Sequence, residues 1–278
     1  MEIRIDGRTL DVSLENEKTI GEVLSFIEQW LSDSGHILSG LSVDGIPVTA
    51  SQIEDAFSRN IDSVQYLDIK TNTLADISSS SLVTLLDDIK EYESLDYDKK
   101  IKFFDSWKES ACARFLSARM TDLYMLCDNT FSKDTVNPQT LYSITQERLS
   151  EIKDPLLEFT NTEPVLNEIC EKLIDLPLDI QTGKDLRAAK TIQLFTAVTE
   201  KIFRIFYQLD TQGFFNKEQK EENKEQILTQ ITEFTGILKE LLEAYENNDT
   251  VLVGDLAEYE ASLRIKKLYN TILENSRG

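Results

Sequence analysis

Ile3-Arg4-Ile5-Asp6-Gly7-Arg8-Thr9-Leu10 decides how the N-terminal part folds. Ile3 and Ile5 alternate at period two before Asp6-Gly7, and Leu10, Val12 and Leu14 resume the alternation after it. An Asp-Gly pair between alternating apolar runs predicts a tight hairpin, because both central turn positions take positive φ. Downstream, Thr19-Ile20-Gly21-Glu22 is a capping box, in which the threonine hydroxyl and the glutamate each satisfy an amide of the first turn. Ile20, Val23, Leu24, Ile27, Trp30 and Leu31 follow at helical spacing, and Gly35 is placed to end the helix in the left-handed region. His36, next to Gly35, is read as a capping residue. Leu41-Ser42-Val43, the turn Asp44-Gly45, and Ile46 with Val48 predict a second strand pair. Ser51-Gln52-Ile53-Glu54 reads as a second capping box opening a short helix to about Phe57. Val64-Gln65-Tyr66-Leu67-Asp68-Ile69 supplies a closing strand.

This order of hairpin, crossover helix, strand pair, short helix and final strand resembles the ubiquitin-like β-grasp fold. The resemblance implies a sheet packed on one helix, an arrangement commonly used for docking. It does not imply covalent conjugation. A conjugated module needs a free Gly-Gly tail after its last strand, whereas here that strand runs on into Lys70-Thr71-Asn72, and Ser276-Arg277-Gly278 falls in the helical part.

Glycine usage marks a change of character. Five of the ten glycines lie within the first 45 residues, and none occurs from Ile46 to Thr182. Turn chemistry thus gives way to long helices. Ser78-Ser79-Ser80-Ser81 reads as a linker, with the boundary near Leu74–Ser80. The chain is therefore expected to be α+β: a β-grasp domain at 1–75 and a mainly antiparallel all-α helical bundle at 79–278. Leu82, Leu85, Leu86 and Ile89 form one amphipathic stretch. Ile101, Phe104, Trp107, Ala111, Phe115 and Ala118 open a longer helix reaching about Thr130. Asn137-Pro138 and Thr162-Glu163-Pro164 each read as a helix start, and Pro177 as a kink or end. Thr182-Gly183-Lys184-Asp185 starts a helix carrying Ile192, Phe195, Ile202 and Phe206. The polar stretch Phe214 to Glu225 is the candidate mobile loop. Ile227, Ile231, Phe234, Leu238, Leu241 and Tyr245 make a coiled-coil-like seam. Beyond the Asn247-Asn248-Asp249 turn the run Leu252, Leu256, Tyr259, Leu263 and Leu268 continues, and its first four members are expected to face that seam, with Gly254 at the contact.

The 278 residues carry a formal net charge of −21, which argues against a nucleic-acid binder. No apolar run is long enough to span a membrane, and the N-terminus lacks the pattern of a signal peptide. Cys112, Cys127 and Cys170 match neither a disulfide framework nor a zinc spacing, and read as buried thiols in a reducing cytoplasm. With one histidine, a two-histidine metal centre is excluded within one chain, and phosphate-loop, dinucleotide-turn and nucleophile-elbow motifs are missing. No cofactor, metal or catalytic residue is assigned.

Two polar stretches stand out. Gln181-Thr182-Gly183-Lys184-Asp185 offers either an anion site at a helix N-terminus or a Thr182–Asp185 capping box. In Asp249 to Glu260, Gly254 interrupts a helix, and Asp255, Glu258 and Tyr259 lie on neighbouring turns. Thr182, Lys184, Asp185, Asp255, Glu258 and Tyr259 are the candidate polar cluster, with Arg187 a further partner. Both stretches are similar to those of an uncharacterised group of bacterial helical proteins. Missing catalytic parts, helical seams and acidity point to a non-enzymatic adaptor or scaffold that binds another protein, one with a basic surface. Nucleic acid and membrane are not expected partners, and a homodimer is left open. Two alternatives stand beside it. One is a cytoplasmic export or assembly chaperone of the flagellar or type III secretion kind. The other is a small-ligand sensor or enzyme using the polar cluster.

Overall fold

Two Asp-Gly turns shape the N-terminal sheet of the computed structural model, which describes residues 1–10, 14, 17–33, 35–215 and 220–276. Asp6 and Gly7 (φ 50° and 77°) join β1 (Glu2–Ile5) to β2 (Arg8–Leu10). Asp44 and Gly45 (φ 51° and 81°) join β3 (His36–Val43) to β4 (Ile46–Pro47). Both aspartates also grip β5 (Tyr66–Thr73). Thr71 donates its amide and hydroxyl to Asp6 at 3.0 and 2.7 Å, and the amides of Gln65 and Tyr66 donate to Asp44 at 2.8 and 3.0 Å. These bonds hold both carboxyls below the usual aspartate range. The strand order is β2-β1-β5-β3-β4, with β1 and β5 parallel and the other pairs antiparallel.

The expected capping box opens α1 (Ile20–Asp33): Thr19 donates its amide to Glu22 at 3.2 Å, and the Glu22 amide donates to the Thr19 hydroxyl at 3.3 Å. Ile20, Val23, Leu24, Ile27 and Leu31 are buried with Ile3, Val43, Leu67 and Ile69, so α1 covers one face of the sheet. Gly35 takes φ 73° as predicted, but His36 opens β3 opposite Thr73 and is a strand residue rather than a cap. The second capping box forms two residues early. Gln52 reaches back to the Thr49 amide at 3.1 Å across the 3-10 turn Ala50–Gln52, which leads into α2 (Ile53–Ser58). Extended backbone at Thr49 (φ −83°, ψ 162°) makes it the cap, and Ser51 falls inside the turn. The Val12 position lies outside the described residues.

β5 passes directly into α3 (Leu74–Ser94). Thr73 donates its amide and hydroxyl to Asp76 at 2.9 and 2.7 Å and accepts the Asp76 amide at 3.1 Å. This reciprocal cap starts the helix ahead of the serine tetrad, so Ser78–Ser81 is helix interior and not a linker. Leu82, Leu85, Leu86 and Ile89 pack inward as expected.

The single long helix expected from Ile101 to Thr130 is instead three: α4 (Tyr97–Trp107), α5 (Ala111–Arg119) and α6 (Thr121–Phe131). Ser110 restarts the chain by accepting the Ala113 amide at 3.1 Å, and Met120 (φ −137°, ψ 60°) breaks it again. The buried face runs through Phe103, Trp107, Cys112, Leu116, Leu123 and Cys127, and Ile101 is 62% exposed. The rings of Tyr92, Phe103 and Phe131 meet at 4.9 to 5.3 Å. Burial pushes the Cys112 thiol up to about 12 and raises Cys127 as well, so both fill space as apolar groups.

The chain divides into two compact units, Met1–Pro138 and Gln139–Gly278; the change from sheet to helix, at Thr73–Leu74, lies inside the first. In the second, α7 (Pro138–Lys153) starts at the predicted proline. Asp154 caps α8 (Pro155–Ile174) by accepting the Leu157 amide at 3.1 Å. Thr162-Glu163-Pro164 therefore opens no helix. Pro164 sits exposed within α8, and the Thr162 hydroxyl bonds back to the Glu158 carbonyl at 2.8 Å. The helix ends at Asp175, and Pro177 stands in the first turn of the next, α9 (Leu176–Gln181), consistent with the predicted end at this proline. α10 (Asp185–Thr211), α11 (Lys220–Glu246), α12 (Thr250–Asp255) and α13 (Ser262–Ser276) follow. Of the stretch expected to be a mobile loop, Lys220 to Glu225 begins α11, and residues 216–219 lie outside the described residues, as do 277 and 278. The α11 seam holds: Ile227, Phe234 and Leu241 are buried, with Ile231, Leu238 and Tyr245 partly buried against the same core. Phe159 and Tyr269 stack at 4.5 Å, and the tyrosine hydroxyl donates to the Phe159 carbonyl at 3.0 Å.

Candidate functional site

The two stretches singled out in the sequence meet through a glycine and a proline. A Cβ on Gly254 would lie 3.1 Å from Cγ of Pro177, so α12 packs on α9 at that point. The predicted partner was the α11 seam. The close approach is instead to α9, because Pro177 places a compact ring where α12 has no side chain.

α9 ends in a Schellman motif. The Lys184 amide donates to the Asp179 carbonyl at 2.8 Å and the Gly183 amide to Ile180 at 3.1 Å, with Gly183 at φ 69°. Thr182 turns back as well, its hydroxyl donating to the Leu178 carbonyl at 2.7 Å. Two sequence readings are corrected here. Thr182 closes α9 rather than capping α10, and the Gly183 and Lys184 amides are already committed to carbonyls rather than open to an anion. The anion that the local cations face belongs to the protein. Asp179, 2% exposed, receives the Arg187 guanidinium at both carboxylate oxygens, and Lys184 lies 3.8 Å away. Arg187 holds this carboxyl below its ordinary range. Asp179 was not legible as a site residue; its only signal is an acid inside the apolar run Leu176 to Ile180.

The last helix is read out of phase by a uniform period. Leu256–Ala261 is a π-helical turn, and Ser262 donates its hydroxyl to the Ala257 carbonyl, five residues back, at 2.8 Å. The buried stripe therefore runs Val253, Ala257, Ala261 and Ile265, each 0% exposed. Opposite it, Val251, Tyr259 and Leu263 are 72%, 60% and 60% exposed, with Asp255 exposed between them. The expectation that Leu252, Tyr259 and Leu263 face α11 is overturned: Leu252 is 43% exposed ahead of the turn, and beyond it the wider turn adds a residue and rotates Tyr259 and Leu263 outward. Leu256 and Leu268 do pack inward. Glu258 accepts the Tyr259 hydroxyl and raises its pKa. Of the candidate cluster, then, Lys184 pairs with Asp179 and Glu258 with Tyr259, while Thr182 serves the backbone; Asp185 opens α10, exposed.

A cavity of about 370 Å³ opens beside this corner, lined by Lys172, Asp175, Asp179, Arg187, Lys190 and Leu194. A second polar site was missed in the sequence. Glu151 of α7, 2% exposed, takes both arms of Arg204 at 2.8 and 3.0 Å, and Lys201 bridges Glu147 and Glu158 at 2.9 and 3.2 Å. Burial pushes the Glu151 carboxyl up to about 7 against the pull of Arg148. Among the described residues, no group of three or more His, Cys, Asp or Glu side chains is arranged to hold a metal ion, and no helix is long and apolar enough to cross a membrane.

Two stretches of the chain match family models. Residues 1–73 match the family model described as TP0873 N-terminal domain, ending where β5 ends. Residues 158–271, which hold both polar stretches, match a domain of unknown function, DUF8042. No solved structure matches the chain. Over its full length, this chain is 26% identical to an uncharacterised protein of Treponema pallidum (strain Nichols), covering 99% of that protein.

Proposed function

We propose that this chain is a non-enzymatic adaptor that binds another protein through the outward stripe of its last helix. The reading rests on one observation: Val251, Tyr259 and Leu263 form an apolar line in solvent, opposite the buried Val253, Ala257, Ala261 and Ile265. Large apolar groups in a line on a helix are the usual anchors for a partner helix. Asp255 and Glu258 flank them, and the chain's net charge of −21 would steer a basic partner toward this face. The N-terminal sheet is read as a ubiquitin-like β-grasp, supported by its parallel central pair and single covering helix. Three buried thiols favour a reducing cytoplasm as its place of action.

A photo-cross-linking residue at position 259 or 263, in the cell that makes the protein, tests this. A defined protein should be trapped at both positions and not at Tyr97, 79% exposed in the other compact unit, and Leu263→Asp should abolish the complex. Equal trapping at all three positions would refute the reading. A ligand-sensing role finds its support in the cavity by Arg187 and Lys190, and thermal shift against small anions examines it.

A further inference from the structure

α10 packs along α8, and the two helices leave a groove between them. The 370 Å³ cavity beside Asp179 continues into a second of about 300 Å³, because Leu194 lines both. On α10 the walls are Arg187, Lys190, Thr191, Leu194, Ala197 and Lys201, one face at helical spacing. On α8, Thr162, Val165, Ile169 and Lys172 answer them in reverse order. Between its polar ends the groove is apolar: Ile169 and Val198 are buried, and Val165 and Leu194 are 48% and 36% exposed.

The two ends differ in how far their charges are already matched. At the far end Lys201 is taken up by Glu147 and Glu158, Arg204 by Glu151, and exposed Glu200 adds a negative charge. At the near end Asp179 is matched by Arg187 and Lys184, and Lys172 pairs with Glu168 at 2.7 Å. Lys190 also lines that end and has no ion-pair partner among the described residues. Lys172, Arg187 and Lys190 thus outnumber Asp175 and Asp179 there, within a chain of net charge −21. Beside Lys190 stands Thr191, 6% exposed, whose hydroxyl has no hydrogen-bond partner among the described residues. Thr162, Thr182 and Thr211, by contrast, each donate to a carbonyl one turn back. A nearly buried hydroxyl left unpaired at a cavity wall is open to a ligand oxygen.

We infer that the α8–α10 groove binds a single-chain anionic amphiphile. Its carboxylate or phosphate head meets Lys190 and the Thr191 hydroxyl, and its alkyl chain runs over Leu194 toward Val165 and Ala197. From Lys190 to Lys201 the helix rises about 16 Å, close to the roughly 15 Å that an acyl chain spans in one leaflet of a bilayer. The negative far end fixes which way the molecule lies. An apolar wall with a few convergent polar groups is the usual make-up of a small-molecule site. The inference gives the ligand-sensing alternative its ligand class and rests on that reading; it does not draw on the α12–α13 stripe.

Calorimetry on the full chain, below micelle-forming concentrations, compares laurate, monododecyl phosphate, dodecanol, octanoate and inorganic phosphate. Laurate or monododecyl phosphate should bind saturably, one per chain, and the tighter of the two identifies the head. Dodecanol should bind at least about tenfold more weakly, for want of a charge-assisted contact. Octanoate should bind at least about tenfold more weakly than laurate, for want of four methylenes. Lys190→Glu and Leu194→Ser should each weaken the tighter complex about tenfold. Lys102→Glu, the same charge change in the other compact unit, and Leu263→Asp, on the partner stripe, should leave it unchanged. Failure of both amphiphiles to bind, dodecanol matching them, or Lys190→Glu acting no more than Lys102→Glu would each overturn the assignment. Inorganic phosphate binding as tightly as monododecyl phosphate would overturn it too, while leaving the cavity a small-anion site.

Discussion

Gly254 rests against the ring of Pro177, so close that a β-carbon at 254 would lie 3.1 Å from the proline Cγ. A small group there is tolerated only if the ring gives by a few tenths of an ångström. Gly254→Ala should therefore be near neutral, its helix-propensity gain of up to about 1 kcal/mol offset by crowding. Gly254→Leu should cost about 1–3 kcal/mol through overpacking. Urea denaturation of both variants, each also made with Pro177→Ala, checks this. If Pro177→Ala relieves none of the Gly254→Leu loss, α9 is not the contact.

The phase of the last helix makes opposite demands on its two sides. Tyr259→Ser and Leu263→Ser should change stability by no more than about 0.5 kcal/mol, as surface substitutions do. Ala261→Leu, on the buried stripe, should cost about 1–3 kcal/mol. A reversed order would mean that the helix is read in its uniform-period phase.

Continuity of α3 through the serines is equally testable. Ser80→Pro should cost about 3 kcal/mol, since it removes an interior helical hydrogen bond and clashes with the preceding turn. A linker would absorb the same change almost freely. Thermal denaturation followed by circular dichroism separates the two.

Glu151 is buried and pairs with the partly exposed Arg204, so deleting Arg204 strands the carboxylate once it is ionised. At pH 8, above the folded value of about 7, Arg204→Met should destabilise by up to about 3–5 kcal/mol. The loss should grow with pH. The folded pKa of Glu151 is already raised from 4.5 to about 7, so its protonated form is the one the fold favours. A raised carboxyl contributes stability that is full below 4.5 and is lost as pH rises through the folded value. Without Arg204 to balance the ionised form, unfolding midpoints at pH 6 and pH 8 should diverge more than in the native chain. Equal midpoints would contradict it.

Asp6 and Asp76 act in the other direction. Hydrogen bonds from Thr71 and Thr73 lower both carboxyls below 3.8. A depressed carboxyl contributes stability that is present above its unfolded value and lost as pH falls through the folded one. Thr71→Val should flatten the acid limb of the stability profile below pH 4, and an unchanged limb would remove Asp6 from that account.

Local chemistry was enough wherever one short pattern fixes one backbone geometry. Asp6-Gly7 and Asp44-Gly45 demanded positive φ, Thr19 and Glu22 could only close a first turn, and the α11 apolar residues repeat at a spacing that admits one buried face. The α+β division was therefore readable from the chain. Interruptions decided by competition were not. Ser110 and Met120 break an apolar pattern that reads as continuous, Thr73 with Asp76 outcompetes the serines for the start of α3, and Ser262 draws the last helix into a π turn by bonding five residues back. The candidate site followed the same rule. Sequence located the two polar stretches and their glycine, but which groups pair depends on the side chains that folding buries. Once Asp179 leaves water it must be matched, so it takes Arg187 and draws Lys184 close; the π turn sends Tyr259 and Leu263 into solvent. Burial and phase are properties of the packed molecule, set by residues far apart in the chain, and no window of sequence contains them.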